Sequence, residues 1–335
     1  YSDTCLGNII WGKVLNETRS SKDDNIYIIP SVILNDIAIE NLSLSNGVTV
    51  SDRYKIYRIS SVDEIRNSKK GYNVTDNCVA FGNIKYGIDV NVGKLNKTSN
   101  ETFTLNSNPL ALRKRIILKS LTSNVLESIR HYIPNTTLME GLNANEYELY
   151  KLSKNASDIL YLETHGFNYQ FVGLTDEQKK YLLGEFRRTD LEKEEEAMYL
   201  SGLFLAPSRK AEVATDGALT AKEISLLDLH NTKLAVLSAC STASGYTFPL
   251  EGTYGLLRGL KMAGVQSVIA SLWDVDKNAT QLLMKEFFKH YTNGDDKNTA
   301  LKKAQRYVRE YKSNDVFYPI DYSNPYYWAG FIIVD

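Results

Sequence analysis

The second half of the chain carries three short, strand-like apolar runs with helical segments between them. The runs are DILYLETHG at 158–166, KLAVLSAC at 233–240 and VQSVIASLW at 265–273. Between the last two, apolar residues have helical spacing from Glu251 to Ala263, and Gly264 is a typical C-terminal stop. Strands and helices that alternate in this way predict an α/β fold with a mostly parallel sheet covered by helices.

The rest of the chain predicts further elements of the same two kinds. The predicted elements are strands within 25–44 (broken at Pro30 and at an Asn35-Asp36 turn), at 54–60, at 78–84 and at 331–335, and helices at 110–131, 277–291 and 298–311. A polar stretch at 86–108 predicts a flexible surface loop or flap. We therefore divide the chain into an N-terminal half, 1–140, and a second half, 141–335, with a charged insertion at 174–202.

Composition argues against several classes of function. With 39 basic and 40 acidic residues, the net charge gives no electrostatic reason to expect nucleic acid or an anionic membrane as a partner. No apolar run approaches the roughly 18 residues of a membrane helix, and the N-terminus has no signal-peptide pattern. Cys5, Cys78 and Cys240 form no CxxC and no Cys/His pair at zinc spacing, so we expect no disulfide framework, metal or cofactor. We expect a cytoplasmic protein and, because the chain begins at Tyr1 without methionine, a fragment.

Two of the strand-like runs end at chemically capable residues, His165 and Cys240. Parallel strands bring their carboxyl ends to one edge of the sheet, so the imidazole and the thiol lie side by side if these strands are neighbours. A histidine can take the proton of a thiol and later return it to a leaving amine. Gly166 lets its backbone N–H approach a ligand closely, and the N–H of Cys240 would be the second donor of an oxyanion hole.

Structural interpretations of the same residues stay open at this point. A cysteine at the end of a buried strand is also typical of a small core residue, and a lone histidine is typical of a structural hydrogen bonder. Competing cysteine chemistries do not fit the spacing. A phosphatase loop would need arginine where Tyr246 stands, a redox pair would need CxxC, and a nucleophile elbow would need glycine at Thr242.

Longer motifs resemble those of the CHAT peptidases, caspase-like relatives of separase that commonly occur with tetratricopeptide repeats in bacteria. The strongest are ILYLETHGF, DGALTAKEISLLDLHNTKLAVLSACSTASG, EGTYGLLRGLKMAGVQSVIASLWDVDKNATQLLMKEFF and NPYYWAGFIIVD, in this order. The runs IYIIPSVILNDIAIENLSL and CVAFGNIKY resemble the first half of the same domain. The resemblance implies a caspase-like sheet with an N-terminal caspase-like or pseudo-protease half. It also implies His165 as general base and acid, Cys240 as nucleophile, and the Gly166 and Cys240 amides as oxyanion donors.

The resemblance also indicates a region for substrate binding. By analogy with caspases and separase, the loop after SLW lines the pocket for the residue before the scissile bond. Asp274 and Asp276 are then candidates to receive an Arg or Lys, and Trp273 is a candidate wall; the alternatives are an N-cap for Asp276, a core role for Trp273 and an apolar pocket. Glu163, where alanine is more usual, faces the same side of the strand as His165. It would hold the imidazole or make a surface salt bridge, and we favour the salt bridge.

Family context implies a cysteine endopeptidase that cleaves a specific protein or peptide and is switched by something outside this chain. The implied partners are a tetratricopeptide or other sensor module and, in bacterial defence, a gasdermin-like pore former as substrate. The segment 174–202 is either a solvated surface element or a regulatory one that covers the cleft or is clipped on activation. The rival function is a catalytically silent caspase-like module that holds a peptide in the same cleft, and a small-molecule acyl transferase is a third.

Overall fold

In the part of the chain that it describes, the computed structural model contains thirteen strands and nine α-helices. The described residues are 4–18, 24–30, 34, 37–45, 47–65, 71–86, 122–153, 155–168, 198–199, 201–208, 217–238, 255–313 and 320–335. In chain order the strands are β1 (Asn25–Ile28), β2 (Ser43–Ser45), β3 (Val48–Thr49), β4 (Lys55–Arg58), β5 (Cys78–Ile84), β6 (Thr136–Gly141), β7 (Ile159–Glu163), β8 (Gly166–Asn168), β9 (Ser201–Phe204), β10 (Ala218–Thr220), β11 (Leu234–Ser238), β12 (Val268–Ser271) and β13 (Phe331–Val334).

The helices follow in the same way. They are α1 (Thr4–Gly7), α2 (Lys13–Thr18), α3 (Val50–Arg53), α4 (Val125–Tyr132), α5 (Glu146–Leu152), α6 (Ala221–Ser225), α7 (Gly255–Met262), α8 (Lys277–Thr292) and α9 (Lys297–Glu310). A π-helical turn, Asn8–Gly12, joins α1 to α2. No helix in these described ranges is both long enough and apolar enough to cross a membrane.

Six strands form the central sheet in the order β13-β12-β11-β7-β5-β6. All neighbours are parallel except β13, which runs antiparallel to β12. The predicted α/β fold with a mostly parallel sheet is therefore confirmed. Strand β6 spans the predicted boundary at residue 140, and both halves of the chain contribute strands to this one sheet.

Each face of the sheet is covered by its own apolar core. On one face α4, α8 and α9 pack over side chains such as Ile159 and Tyr161. On the other face α5, α6 and α7 pack over Leu160 and Leu162. Because successive side chains of a strand point to opposite faces, the run ILYL in β7 serves both cores, which explains why it is apolar without interruption.

The long helices begin and end where their sequences contain capping residues. The Asp276 side chain accepts the Ala279 N–H at 2.9 Å at the start of α8, and the Asp296 side chain accepts the Thr299 N–H at 3.0 Å at the start of α9. Gly264, after α7, has φ +95°, a conformation that glycine adopts without strain.

An N-terminal region lies against the β13 edge of the sheet. Its parallel pair β1-β4 and helix α3 surround a small core. The Asp335 N–H donates to the Arg58 carbonyl at 3.0 Å, and the Ser60 N–H donates to the Asp335 carbonyl at 2.9 Å. The buried Arg58 guanidinium forms two hydrogen bonds to Glu40, at 2.7 and 2.9 Å. The region is thus joined to the last residue after β13 by backbone hydrogen bonds.

Most predicted elements agree with the structure, and the differences are local. The predicted strands at 54–60, 78–84 and 331–335 correspond to β4, β5 and β13. The predicted helix over 110–131 is wrong at 122–124, because α4 begins only at Val125. The sequence analysis missed β6, α5 and the three short strands β8, β9 and β10. The predicted loop at 86–108 lies almost wholly outside the described residues.

Candidate active site

The carboxyl ends of β7 and β11 lie side by side at the middle of the central sheet. The two strands pair in parallel over five residues, from Ile159 opposite Leu234 to Glu163 opposite Ser238. Beyond Glu163 the chain continues through Thr164 to His165, and beyond Ser238 it continues toward Cys240. Cys240 itself lies outside the described residues, as do Glu251 and nearly all of the 174–202 segment.

Contacts with neighbouring elements fix the backbone at His165 on both sides. Thr164, only 1% exposed, donates its hydroxyl to the Phe204 carbonyl and accepts a hydrogen bond from the Tyr86 hydroxyl at 2.9 Å. The Phe204 N–H donates to the His165 carbonyl at 2.9 Å. The Tyr86 ring lies 5.3 Å from the half-buried imidazole, with an interplanar angle of 49°. A buried hydroxyl and an aromatic ring thus limit the conformations that His165 can adopt.

Immediately after His165 the chain enters a second, three-stranded antiparallel sheet in the order β10-β9-β8. Gly166 pairs with Leu203 across β8 and β9. Because the Phe204 N–H donates to the His165 carbonyl, Gly166 and Leu203 form a non-hydrogen-bonded pair, and the Gly166 N–H points away from β9. This N–H is therefore directed away from its own ladder, as an oxyanion donor must be.

Glu163 is buried under the end of β7, with 5% of its surface exposed. The Tyr161 hydroxyl donates to its Oε2 atom at 3.4 Å. Burial raises the pKa of Glu163 to about 7, although Ser123, Tyr161 and the charge of Lys277 act to lower it. The surface salt bridge favoured from the sequence is therefore wrong, because this carboxyl is not at the surface.

Two of the three candidate pocket residues after β12, Trp273 and Asp276, make structural contacts. The Trp273 Nε1–H donates to the Tyr326 carbonyl at 3.0 Å, and the ring packs against Gly330, where a Cβ atom would come within 2.9 Å of it. Asp276 caps α8, as the N-cap alternative predicted. Asp274 is exposed. Of the two candidate carboxylates for a basic pocket, Asp276 already has an oxygen committed to a helix N-terminus.

Cys78 lies in a different environment from the strand end predicted for Cys240. Cys78 begins β5, is 1% exposed, and burial raises its pKa to about 12. Such a thiol is inert at neutral pH. Across the described ranges, no group of three or more His, Cys, Asp or Glu side chains could hold a metal ion.

Sequence reasoning missed the residues that hold His165 from behind. Tyr86 and Thr164 come together only because β5 and β7 are neighbours in the sheet, and 78 residues separate them in the chain. Strand β9, which fixes Thr164 and His165, begins at Ser201, inside the end of the segment predicted as a charged insertion, so the sequence did not indicate it as a partner. The glycine of GLF at Gly202 is a usable signal, since it packs against the Phe167 ring and leaves no room for a side chain.

Comparisons with known proteins agree with the sequence motifs. A family model described as CHAT domain matches residues 4–335. No curated protein matches the chain. Among solved structures, separase in the Saccharomyces cerevisiae separase–securin complex is 15% identical with a TM-score of 0.47, covering 93% of this chain and 16% of that one. The Arg-specific cysteine proteinase gingipain R (RgpB) is 8% identical with a TM-score of 0.48, covering 98% of this chain and 66% of that one. The chain thus spans only a small part of the separase it matches, and we draw nothing further from likenesses of this size.

Proposed function

Because the chain belongs to the CHAT domain family, we propose that it is a cysteine endopeptidase whose catalytic dyad is His165 and Cys240. Family membership supports a protease-like domain, and the environment of the two strand ends supports the choice of residues. We place the cleavage of a protein or peptide substrate at the carboxyl edge of the sheet, between β7 and β11.

The observation that carries the proposal is the register of β7 against β11. Glu163 pairs with Ser238, which is a separation of 75 positions (238 − 163). The same 75 positions separate His165 from Cys240 (240 − 165). His165 and Cys240 would therefore lie opposite each other, with no change of register, if the segments after β7 and β11 continue past the sheet in the same direction.

The proposed reaction uses the dyad in two steps. His165 takes the Cys240 proton, and the thiolate attacks the substrate carbonyl carbon to form a tetrahedral oxyanion. When this intermediate collapses, the C–N bond breaks and the amine leaves with the proton from His165. A water molecule then attacks the thioester with His165 as base, which releases the acid and restores the thiol. The outward Gly166 N–H is one oxyanion donor, and one such donor typically contributes about 3 kcal/mol to lowering the barrier.

Specificity and control are finer parts of the same proposal. Asp274 is the better candidate for receiving an Arg or Lys, since Asp276 caps α8. Trp273, fixed by Tyr326, would form a wall beside it. We also propose that the segment 174–202 is regulatory and that a sensor module outside this chain, such as tetratricopeptide repeats, switches the activity toward a protein substrate such as a pore former.

The test is cleavage profiling of a peptide library with wild type, Cys240→Ala and, as the matched thiol control, Cys78→Ala. We expect cleavage that is lost in Cys240→Ala and kept in Cys78→Ala, because the Cys78 thiol is buried with a raised pKa. Equal cleavage by wild type and Cys240→Ala would overturn the proposal. Peptide binding without cleavage by any variant would favour the rival, a catalytically silent peptide-binding module.

A further inference from the structure

A bulge near the end of β5 changes which face of the sheet the following residues occupy. Between Gly82 and Ile84, β5 has one more residue than its partner β6, and Asn83 is the extra one. Asn83 has φ +48°, a left-handed conformation that asparagine tolerates better than most residues. Its side chain accepts the Ser123 N–H at 2.9 Å and donates to Glu140 at 2.6 Å. These two hydrogen bonds hold the strand in its irregular conformation.

The extra residue shifts the alternation of the β5 side chains. Phe81 lies in the core beneath α5, α6 and α7, and Ala80 lies in the opposite core. Strict alternation would place the even-numbered Ile84 and Tyr86 in this opposite core, but both lie in the first. The bulge therefore places Tyr86 on the face of the sheet from which its hydroxyl reaches Thr164, at 2.9 Å.

Tyr86 contacts the segment after β7 at two points. Its hydroxyl donates to Thr164, which is 1% exposed and uses its own hydrogen to bond the Phe204 carbonyl. Its ring lies against the half-buried His165 imidazole, with 5.3 Å between the ring centroids and an angle of 49°. Aromatic rings about 4.5–7 Å apart attract one another when they are offset or tilted. Tyr86 thus acts on the backbone before the histidine and on the imidazole itself.

We propose that Tyr86 is a positioning residue for His165, which fixes the preceding backbone through Thr164 and restricts the imidazole with its ring. This inference rests on the proposed function, in which His165 is the general base. A general base must point at the proton that it takes, and an imidazole that turns freely does so only part of the time. Tyr86 takes no part in the proton transfer, since its hydroxyl donates to Thr164.

The two contacts can be separated by substitution. Tyr86→Phe removes the hydroxyl and keeps the ring beside His165, whereas Tyr86→Leu removes both. Tyr322→Leu is the matched control, because Tyr322 is 5% exposed and packs against the rings of Tyr311 and Tyr327, at 5.5 and 5.2 Å. The control removes a buried tyrosine ring from the core that does not contain Tyr86.

The direct measurement is the mobility of the His165 imidazole, read as the NMR order parameter of its Cδ2–H bond in protein labelled at histidine. The spectrum of His165→Ala identifies the signal among those of the 4 histidines. We expect an order parameter of about 0.85, the value of rigid backbone, in wild type and a value below about 0.6 in Tyr86→Leu. Tyr86→Phe should lie between these values, and Tyr322→Leu should match wild type.

The second measurement is the rate at which iodoacetamide alkylates Cys240, read by mass spectrometry of its peptide at one fixed pH near neutral. The reagent alkylates a thiolate with loss of iodide and needs no substrate. A misdirected base takes the thiol proton less often, so Tyr86→Leu should react about tenfold more slowly than wild type and Tyr86→Phe about threefold more slowly. A merely structural role would lower Tm in the Tyr86 variants, as in Tyr322→Leu, and leave the alkylation rate unchanged.

The outcomes distinguish this inference from the proposed function. A His165→Ala variant that is alkylated at the wild-type rate would overturn the dyad, and the inference with it. A dyad that responds to His165→Ala, combined with an order parameter or an alkylation rate that Tyr86→Leu leaves unchanged, would overturn the inference alone. So would Tyr322→Leu slowing alkylation as much as Tyr86→Leu. The inference is supported if only the Tyr86 variants loosen the imidazole and slow alkylation. If Tyr86→Leu does not fold, Tyr86→Phe decides by the same two measurements.

Discussion

Buried charges at the amino end of the central sheet are paired, whereas at the carboxyl end the buried Glu163 carboxyl bonds to a tyrosine hydroxyl. At the amino end Lys297, 2% exposed, contacts Asp335 at 2.9 Å, and both bond to Ser267. At the carboxyl end the Glu163 carboxyl accepts a hydrogen bond from the Tyr161 hydroxyl at 3.4 Å. A buried pair compensates each charge, so removing one partner is costly, while a carboxyl bonded to a hydroxyl can change its charge near neutral pH. The difference separates an end built for stability from an end suited to chemistry.

A second group at the amino end strengthens the comparison. Lys233, just before β11, bridges Asp76 and Asp158, which precede β5 and β7. Burial acts to raise the pKa of Asp158, but the Asn77 N–H and Lys233 hold it below its usual value. The pKa of Glu163 moves in the opposite direction. Carboxyls at the two ends of one strand, β7, are thus shifted in opposite senses by their partners.

The largest effect is expected at the carboxyl end, from His165→Ala. Removing the proposed general base should lower kcat/KM for a cleaved peptide by about 10⁴-fold, with little change in Tm, because the His165 side chain is half-buried rather than part of the core. Activity and thermal unfolding measured on the same preparation would check this. A large fall in Tm together with the activity would mean that this end also serves stability and would break the comparison.

The next effect is expected at the amino end, from Lys297→Ala. It leaves the buried Asp335 without its cation, so the free energy of unfolding should fall by about 3–5 kcal/mol in urea titrations. The double variant Lys297→Met, Asp335→Leu should recover most of this loss, since an apolar pair needs no desolvation of charge. If Lys297→Ala alone were neutral, the pairing would not be the source of stability.

The third effect tests the comparison through the pH dependence of the free energy of unfolding. A carboxyl whose pKa is raised stabilises the fold fully below its unfolded value, and this contribution is lost as pH rises through the folded value. For Glu163 that window runs from 4.5 to about 7, which corresponds to about 3 kcal/mol. Relative to wild type, Glu163→Gln should therefore gain stability across this range in urea titrations at several pH values.

Asp158→Asn is the control for that experiment, because its sign is opposite. The lowered pKa of Asp158 means that its contribution is present above pH 3.8 and is lost as pH falls through the folded value. The variant should be less stable than wild type near neutral pH, and the difference should vanish in acid. Two variants with the same sign of pH dependence would contradict the contrast between the two ends.

The smallest effect concerns Asp276, which lies at the carboxyl end but serves structure. Asp276→Ala removes the cap of α8 and should lower the free energy of unfolding by about 1 kcal/mol. Asp276→Ser keeps a capping oxygen and should restore it. If Asp276→Ser recovered stability but lost cleavage after Arg or Lys, Asp276 would be a pocket residue as well as a cap.

Five of the six strands in the described central sheet, all except β6, could be predicted from the sequence because they are short apolar runs bounded by turn or capping residues. Gly264, Asp276 and the run ILYL each act locally, so spacing alone indicated where α7 ends, where α8 begins and where β7 lies. The sequence could not establish that β7 and β11 are neighbours, because their pairing depends on packing between distant segments.

The surroundings of Glu163 show why the rest could not be predicted. The groups that act on its pKa come from separate parts of the chain, with Ser123 before α4, Tyr161 on β7 and Lys277 at the start of α8. Acidic side chains are mostly exposed, so the sequence alone predicts a surface salt bridge. Only the folded arrangement shows that α4 and α8 bury the strand on that side.

The two backbone hydrogen bonds between Asp335 and the N-terminal region also predict the effect of an N-terminal truncation. They satisfy backbone N–H and C=O groups at the outer edge of the sheet next to β13. An unpaired strand edge at this place could form hydrogen bonds with a strand of another molecule. A shortened protein that starts after residue 70 would lose this cover along with Arg58 and Ser60. Such a truncation would expose a ready template for intermolecular β-pairing, so aggregation during expression is its expected fate.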